Sequence, residues 1–434
     1  GIHMGETKKK LVKCLVCGAV FEDGVSVCPV CGVGPENFVP FTEEEKSFHR
    51  DTEEIFLILG GGAAGLNAAE AIRERNSTAS IVMATNEEIL PYSRPMLTKS
   101  MLGENNREQL LVHDAPWYEE NRILTLTGKT AERIDPEARE VTFSDGIRLK
   151  YDKLIYALGS ECFIPPIPGH EKPQVIAIRR ITDTEKVGAL LPQTKHAVVI
   201  GGGVLGLEAA WELKKAGLEV TVLELAPQLM GRQLDAGAGE FLKDLIQNVG
   251  IAIHLNVKIE AIEGETDVTG VRLGDGTVIP AELVVVSAGV RANVGVAKDA
   301  GAEIGRAIKV NAFMETTIPS VYACGDCAEY EGINYAIWPQ AVEMGRTAGA
   351  NAAGDGLVYH TVPAALTFNG METSLFAVGD VGKNSEIEYT VKHEEDPEKK
   401  IYKTRYYANG RLTGAILFGD TKEMQSVTEE MEQA

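Results

Sequence analysis

The chain's 434 residues, 44% of them apolar, suffice for roughly two to four domains with sizeable cores. A formal net charge of -21 excludes a general nucleic-acid surface, which needs a basic balance. No apolar run approaches about 18 residues, so no membrane span is expected. Gly1-Ile2-His3 before Met4 reads as a cloning remnant, and no export signal precedes the first lysines, which points to the cytoplasm. Residues 5–10 read as a solvated basic arm.

Residues 11–41 form the first unit. Of seven cysteines, four lie in two C-x-x-C-G knuckles, Cys14/Cys17/Gly18 and Cys28/Cys31/Gly32. Four thiolates can close a tetrahedral site suited to iron or zinc. The glycine after each pair keeps the turn open, so backbone N–H groups can point at sulfur. So short a unit buries little, and metal must supply folding free energy on the order of 10 kcal/mol. Val12, Val20, Phe21, Val27, Phe38 and Phe41 are the expected small core. The C-x-x-C-G and C-P-x-C-G pair, followed by a proline and a phenylalanine, resembles a rubredoxin in the shortened form found at the ends of rubrerythrins. Its gap of ten residues is shorter than in free-standing rubredoxins. That resemblance implies iron on Cys14, Cys17, Cys28 and Cys31; structural zinc is the alternative the same ligands allow. Residues 42–53 are charged, lack apolar periodicity and read as a linker.

Residues 54–165 open the main body. Five apolar residues, Ile55 to Leu59, lead into Gly60-x-Gly62-x-x-Gly65 and an Ala-rich helix pattern. Gly60 permits the tight turn, Gly62 the approach of a pyrophosphate, and Gly65 close helix–strand packing. The spacing recurs at Gly201, Gly203 and Gly206, about 140 residues on. Two such sites imply two cofactors, or a cofactor and a dinucleotide substrate. After the strand Ile81–Ala84 an acid is expected on the adenosine ribose, and Glu87 is chosen over Glu88. Leu90 to Lys99 follow, rich in proline and carrying two cations. They resemble the P-Y-x-R-P-x-L-[ST]-K run of FAD-dependent NADH:rubredoxin and ferredoxin reductases, which implies that Arg94 and Lys99 approach FAD, Lys99 near flavin N5. No cysteine lies between Cys31 and Cys162, which argues against a dithiol mechanism. Tyr151 to Gly159 resembles the strand that returns to the FAD sheet in these flavoproteins, and Gly159 joins the cofactor set. Cys162 reads as an inert thiol.

Residues 166–289 hold the second fingerprint. Glu224 closes the next strand, where a carboxylate accepts from ribose hydroxyls and repels a 2′-phosphate. NADH is therefore expected over NADPH. In similar reductases the position of Glu208 meets the nicotinamide carboxamide, and Gly289 would face the NAD. Over 290–356, Val321 to Ala328 resembles the second FAD motif, which puts Gly325 and Asp326 on the cofactor. Cys324 and Cys327 are formally C-x-x-C, but the Gly-Asp between them is committed to that motif, so no redox or metal role is expected of them. Trp338 opens a helix that runs past the flavin in relatives. Residues 357–434 alternate strands and turns, with a hairpin at Asn409-Gly410 and a short charged terminal helix. They are like the C-terminal interface domain of the reductases.

The expected fold class is α/β. Two Rossmann-like domains, the FAD domain split by an inserted NAD domain, are flanked by the knuckle unit and an α+β interface domain. The resemblance to NADH:rubredoxin oxidoreductases covers about residues 54–434. It implies an enzyme passing electrons from NADH through FAD to the fused iron centre, and then to a rubrerythrin, flavodiiron or superoxide-reductase type of protein. Lys99 and Glu208 would be its catalytic side chains. Two rival readings are an NADH oxidase or ferredoxin-type reductase with a structural zinc knuckle, and a non-enzymatic NADH-binding redox sensor.

Overall fold

The computed structural model describes residues 10–16, 18–30, 32–41, 48–99, 102, 107–361 and 365–432. Three antiparallel strands come first, β1 (Leu11–Cys14), β2 (Val20–Glu22) and β3 (Phe38–Phe41), in the order β2-β1-β3. A first α/β unit follows with β4 (Ile55–Leu59), helix α1 (Ala63–Arg75), β5 (Ser80–Ala84), the short α2 (Pro95–Lys99), β6 (Ile123–Leu126) and β7 (Lys153–Tyr156). A second unit holds β8 (Val175–Ala177), β9 (His196–Ile200), α3 (Val204–Lys215), β10 (Glu219–Leu223), β11 (Ala252–His254) and β12 (Leu283–Val286). The chain then returns to the first unit with β13 (Val321–Ala323) and α4 (Trp338–Ala352). It ends in β14 (Ala365–Gly370), β15 (Thr373–Gly379), β16 (Thr390–Asp396), β17 (Ile401–Ala408), β18 (Arg411–Phe418) and α5 (Met424–Glu432).

The two units repeat one plan. Their parallel sheets run β13-β7-β4-β5-β6 and β8-β12-β9-β10-β11. Helices cover both faces of such sheets, so their strands read as unbroken apolar runs, and Phe56 to Leu59 are fully buried. Each unit also carries a three-stranded antiparallel sheet before its return strand, at residues 131–150 and 259–280.

Helices α1 and α4 lock the split unit together. A β-carbon on Gly345 would lie 2.3 Å from the Ala64 carbonyl oxygen, and one on Gly349 2.3 Å from that of Ala68. Both contacts advance by four residues, so the helices run side by side in one direction. Trp338 lies seven residues before Gly345, so α4 begins about 10 Å short of that contact. Its first two turns therefore project past the glycine turn that starts α1.

The last sheet, β14-β15-β18-β17-β16, is antiparallel. Asn409 and Gly410, with φ of 51° and 77°, make the two-residue turn between β17 and β18. Phe368, Leu375, Ile416 and Phe418 share one core with Leu207 and Ala210 of α3. Strand β16 has no apolar alternation and is almost wholly exposed, so the sequence pattern missed it. In the amino-terminal unit one expectation is corrected: Val27 is 51% exposed, and Val33 packs with Cys14 and Cys28 instead. Half of the expected linker lies outside the described residues. The rest is tied to the first unit, where Arg50 N donates to Arg75 O at 2.8 Å and Ser77 N to Asp51 Oδ1 at 2.7 Å. Among the described residues no helix is long and apolar enough to cross a membrane.

Gly345→Ala should cost about 1–3 kcal/mol by forcing α4 off α1. The urea midpoint followed by circular dichroism should fall. Gly356→Ala, whose added carbon meets nothing within 4 Å, should leave it in place.

Candidate functional site

Each fingerprint turn is tight on one side and open on the other. A β-carbon on Gly60, at φ +113°, would lie 1.9 Å from Ala157 O, and one on Gly65 2.2 Å from Gly60 O. In the second unit Gly201 and Gly206 meet Ser287 O and Gly201 O at 2.0 and 2.1 Å. A carbon on Gly62 or Gly203 would meet nothing within 4 Å. Both are helix N-caps without a side-chain cap, so no side chain covers the first N–H groups of α1 and α3. Such a helix end suits a phosphate.

The residue after the second strand distinguishes the two cradles. Glu224 follows β10 at once, and its carboxylate accepts from Gly202 N and Ala226 N, both at 3.0 Å. Leu225 beside it is 58% exposed. In the first unit Thr85 takes the equivalent place: a β-carbon on Gly61 would lie 3.0 Å from Thr85 Cβ. Glu87 sits two residues further on, and its carboxylate is already engaged. It accepts from Arg94 Nη2 at 2.6 Å and from the Tyr92 hydroxyl at 2.5 Å. Arg94 also donates to Arg179 O at 2.8 Å. Burial, with the Glu87 carboxylate beside it, pushes Tyr92 up to about 12, so it stays a neutral donor.

Where α2 meets α3, Lys99 Nζ lies 3.1 Å from Glu208 Oε2. Glu208 is 5% exposed, and Thr98 Oγ1 approaches its other oxygen at 3.4 Å. Burial raises the Glu208 pKa above the usual glutamate range, against the pull of Lys99. The pair bridges the first unit to the second. Asp326 is held by Arg179 Nη2 at 3.1 Å and Ser160 Oγ at 3.2 Å. Arg179 also lies near Gly159, so Gly159, Gly325 and Asp326 come together around one guanidinium. The sequence reading missed Arg179, because nothing local marks a cation brought in from another segment. Gly289, at φ +97°, has open space beside it. Ser93 Oγ and Gln340 Oε1, just before α2 and in the first turn of α4, are buried with no hydrogen-bond partner among the described residues. Trp338 is partly buried between the core of the first unit and the knuckle cluster.

The cysteines of the body are chemically quiet. Burial pushes Cys327 up to about 12 and raises Cys324 well above the usual thiol range; both are fully buried. Burial also raises Cys162. None is poised as a thiolate.

The two knuckles share one geometry. Gly18 N donates to Cys14 O at 2.8 Å and Cys14 N to Ala19 O at 2.9 Å; Gly32 N donates to Cys28 O at 3.0 Å and Cys28 N to Val33 O at 2.8 Å. Cys14 and Cys28 are buried in one small cluster. Cys17 and Cys31 lie outside the described residues. Among the described residues no group of three or more ligating side chains could hold a metal ion.

Residues 56–345 match the pyridine nucleotide-disulphide oxidoreductase family model, and residues 365–434 match the rubredoxin NAD+ reductase C-terminal domain. The chain is 37% identical over 375 residues to a nitrite reductase [NAD(P)H] of Bacillus subtilis, covering 85% of this chain and 46% of that protein. It spans about half the length of the two Bacillus subtilis relatives it matches. An NADH-rubredoxin oxidoreductase of Clostridium acetobutylicum is 30% identical, with 84% of this chain and 90% of that one aligned. An NADH oxidase of Methanocaldococcus jannaschii is 32% identical, with 82% of each covered. Among solved structures, a ferredoxin reductase from Rhodopseudomonas palustris superposes with a TM-score of 0.79 at 28% identity, covering 86% and 93% of the two chains.

Lys99→Met removes the cation that offsets burial of Glu208, whose pKa then rises further. Below the ordinary glutamate value of 4.5 the carboxyl is neutral in both states and the variant loses little. As pH rises through the folded-state value the loss should grow to about 3–5 kcal/mol, the cost of stranding one buried partner. Urea unfolding at pH 4 and pH 8 measures the difference.

Proposed function

The chain belongs to the pyridine nucleotide-disulphide oxidoreductase family, and from that premise we propose an NADH-dependent FAD enzyme that delivers electrons to a rubredoxin-type Fe(Cys)4 centre in its own amino-terminal unit. The observation that carries the reading is the pair of open glycine cradles, with Lys99 and Glu208 joined at the seam between their units.

The residues fit FAD in the first unit. Gly60, Gly62 and Gly65 form the cradle for its pyrophosphate, Thr85 stands where an adenosine ribose comes, and Arg179 and Asp326 offer partners for the ribityl chain. Ser93 Oγ and Gln340 Oε1, unpartnered among the described residues, leave polar capacity for a ligand. In the second unit Gly201, Gly203, Gly206 and Gly289 would hold NADH, with Glu224 on its ribose. Bound FAD would take a hydride as an electron pair and release electrons singly. Lys99 would set a positive charge at the ring edge, Glu208 fixes that ammonium and would meet the carboxamide, and the pair holds the two units in register. The quiet body thiols give no dithiol relay. Cys14, Cys17, Cys28 and Cys31 would hold the iron, and the matched knuckle turns support it. Electrons would pass on to a rubrerythrin, flavodiiron or superoxide-reductase type of protein. The name of the Clostridium relative favours a rubredoxin-type acceptor.

A second reading keeps the flavin and replaces iron by structural zinc, leaving an NADH oxidase or ferredoxin-type reductase. The names of the Methanocaldococcus and Rhodopseudomonas relatives favour it.

The absorption spectrum decides between them. Iron–thiolate charge-transfer bands beside the flavin bands, bleached by NADH in natively expressed protein, are expected. A flavin-only spectrum with one equivalent of zinc would falsify the iron centre. Glu224→Ala with Leu225→Arg should shift preference toward NADPH on the order of 100-fold, removing a repulsion and adding a charge-assisted contact. Steady-state kcat/KM with the two nucleotides measures it.

A further inference from the structure

The amino-terminal unit makes four contacts with the body of its own chain. At the first knuckle, a β-carbon on Gly18 would lie 3.5 Å from Val342 Cγ1 and 3.8 Å from Pro339 Cα, in the opening turns of α4. At the second, one on Gly32 would lie 2.7 Å from Met96 Sδ in α2. Gly18 and Gly32 both sit at positive φ, 75° and 79°, a conformation that favours glycine; Gly18 is in ordinary van der Waals contact with α4, and Gly32 is pressed against the flexible end of Met96. Leu15 joins the cluster of Phe376, Met424 and Val427 under the last sheet. Lys13 Nζ pairs with Glu343 Oε1 at 3.3 Å, beside Arg346 on the same carboxylate.

The two knuckles thus span the gap between α2 and the projecting end of α4. Met96 stands three residues before Lys99, one helical turn away, and Trp338 packs on both the body core and the knuckle cluster. On the reading proposed above, this gap is the ring end of the flavin crevice.

We propose that the amino-terminal unit is the built-in occupant of the face through which electrons leave the flavin, so that a separate acceptor protein docks on the knuckle unit and not on the dinucleotide-binding body. The inference rests on the iron reading for its chemistry and on the contacts for its seat. Each NADH oxidised gives NAD+, one proton and two electrons. An iron held by Cys14, Cys17, Cys28 and Cys31 would take these electrons one at a time, cycling between ferric and ferrous, and would hand each to one equivalent of a one-electron acceptor protein. Transfer to the iron is then intramolecular.

Two measurements on full-length holoprotein test this. Carbodiimide treatment of mixed 14N- and 15N-labelled protein should give a Lys13–Glu343 amide, seen by mass spectrometry, in peptide pairs of one isotope only. Mixed-isotope pairs, or no such pair, overturn the same-chain seat. In stopped flow, bleaching of the iron bands by NADH should keep its rate constant over a tenfold dilution. Glu343→Lys should slow it about fivefold, the size of one exposed ion pair, with NADH-driven flavin reduction unchanged, and Lys13→Glu in the same chain should restore it. A rate that scales with protein concentration overturns the proposal even where iron is present. A one-isotope cross-link in protein that carries zinc overturns the electron route and leaves the seat standing.

Discussion

Gly345 and Gly349 let the backbone of α4 lie directly on that of α1. That contact rejoins a unit whose halves are separated by a whole inserted fold. It aims two helix N-termini toward the same end, with α4 carried past the fingerprint turn. Gly325, beside Asp326, is brought against Ala64 at the start of α1 by the same packing, so the Gly62 turn and the Arg179–Asp326 cluster lie at one end of the helix pair. A wider helix pair would move Gly325 and Asp326 away from the fingerprint turn.

The second unit is registered on the first by a different kind of contact. Lys99 and Glu208 are largely hidden from solvent, and each needs the other. A buried pair of this kind adds little to stability, but misplacing it is costly. It therefore fixes how α2 and α3 meet, and two chemically similar cradles are held at a defined separation. The sheet of residues 365–418 backs this arrangement by sharing its core with α3.

Much of this was legible in the sequence because spacing encodes it. The two glycine fingerprints, the apolar strands before them, Glu224 and the Asn409-Gly410 turn each follow from local chemistry. What escaped was non-local or lacked the expected residue type. Thr85 is not an acid, so its residue type does not mark it, although it directly follows β5 as Glu224 follows β10. Glu87 looked available only because its partners Arg94 and Tyr92 could not be placed from the sequence. Arg179 and Met96 take their roles from segments far along the chain. Val27 looked like core by composition, whereas the cluster closes on Val33. Strand β16 forms by pairing with β17 alone, with no apolar signal of its own.

The interrupted first sheet also bears on how the molecule is made. About 160 residues separate Tyr156 in β7 from Val321 in β13, its neighbour. During synthesis the leading half must wait, with one sheet edge and one face uncovered, until the inserted fold and α4 have emerged. Long-range parallel pairing of this sort is slow and exposes sticky intermediates. The inserted fold pairs its own strands over about 110 residues, Val175 with Val284, and so can begin to form first. Flavin loading would then be a late event in biogenesis, gated by the emergence of α4 from the ribosome.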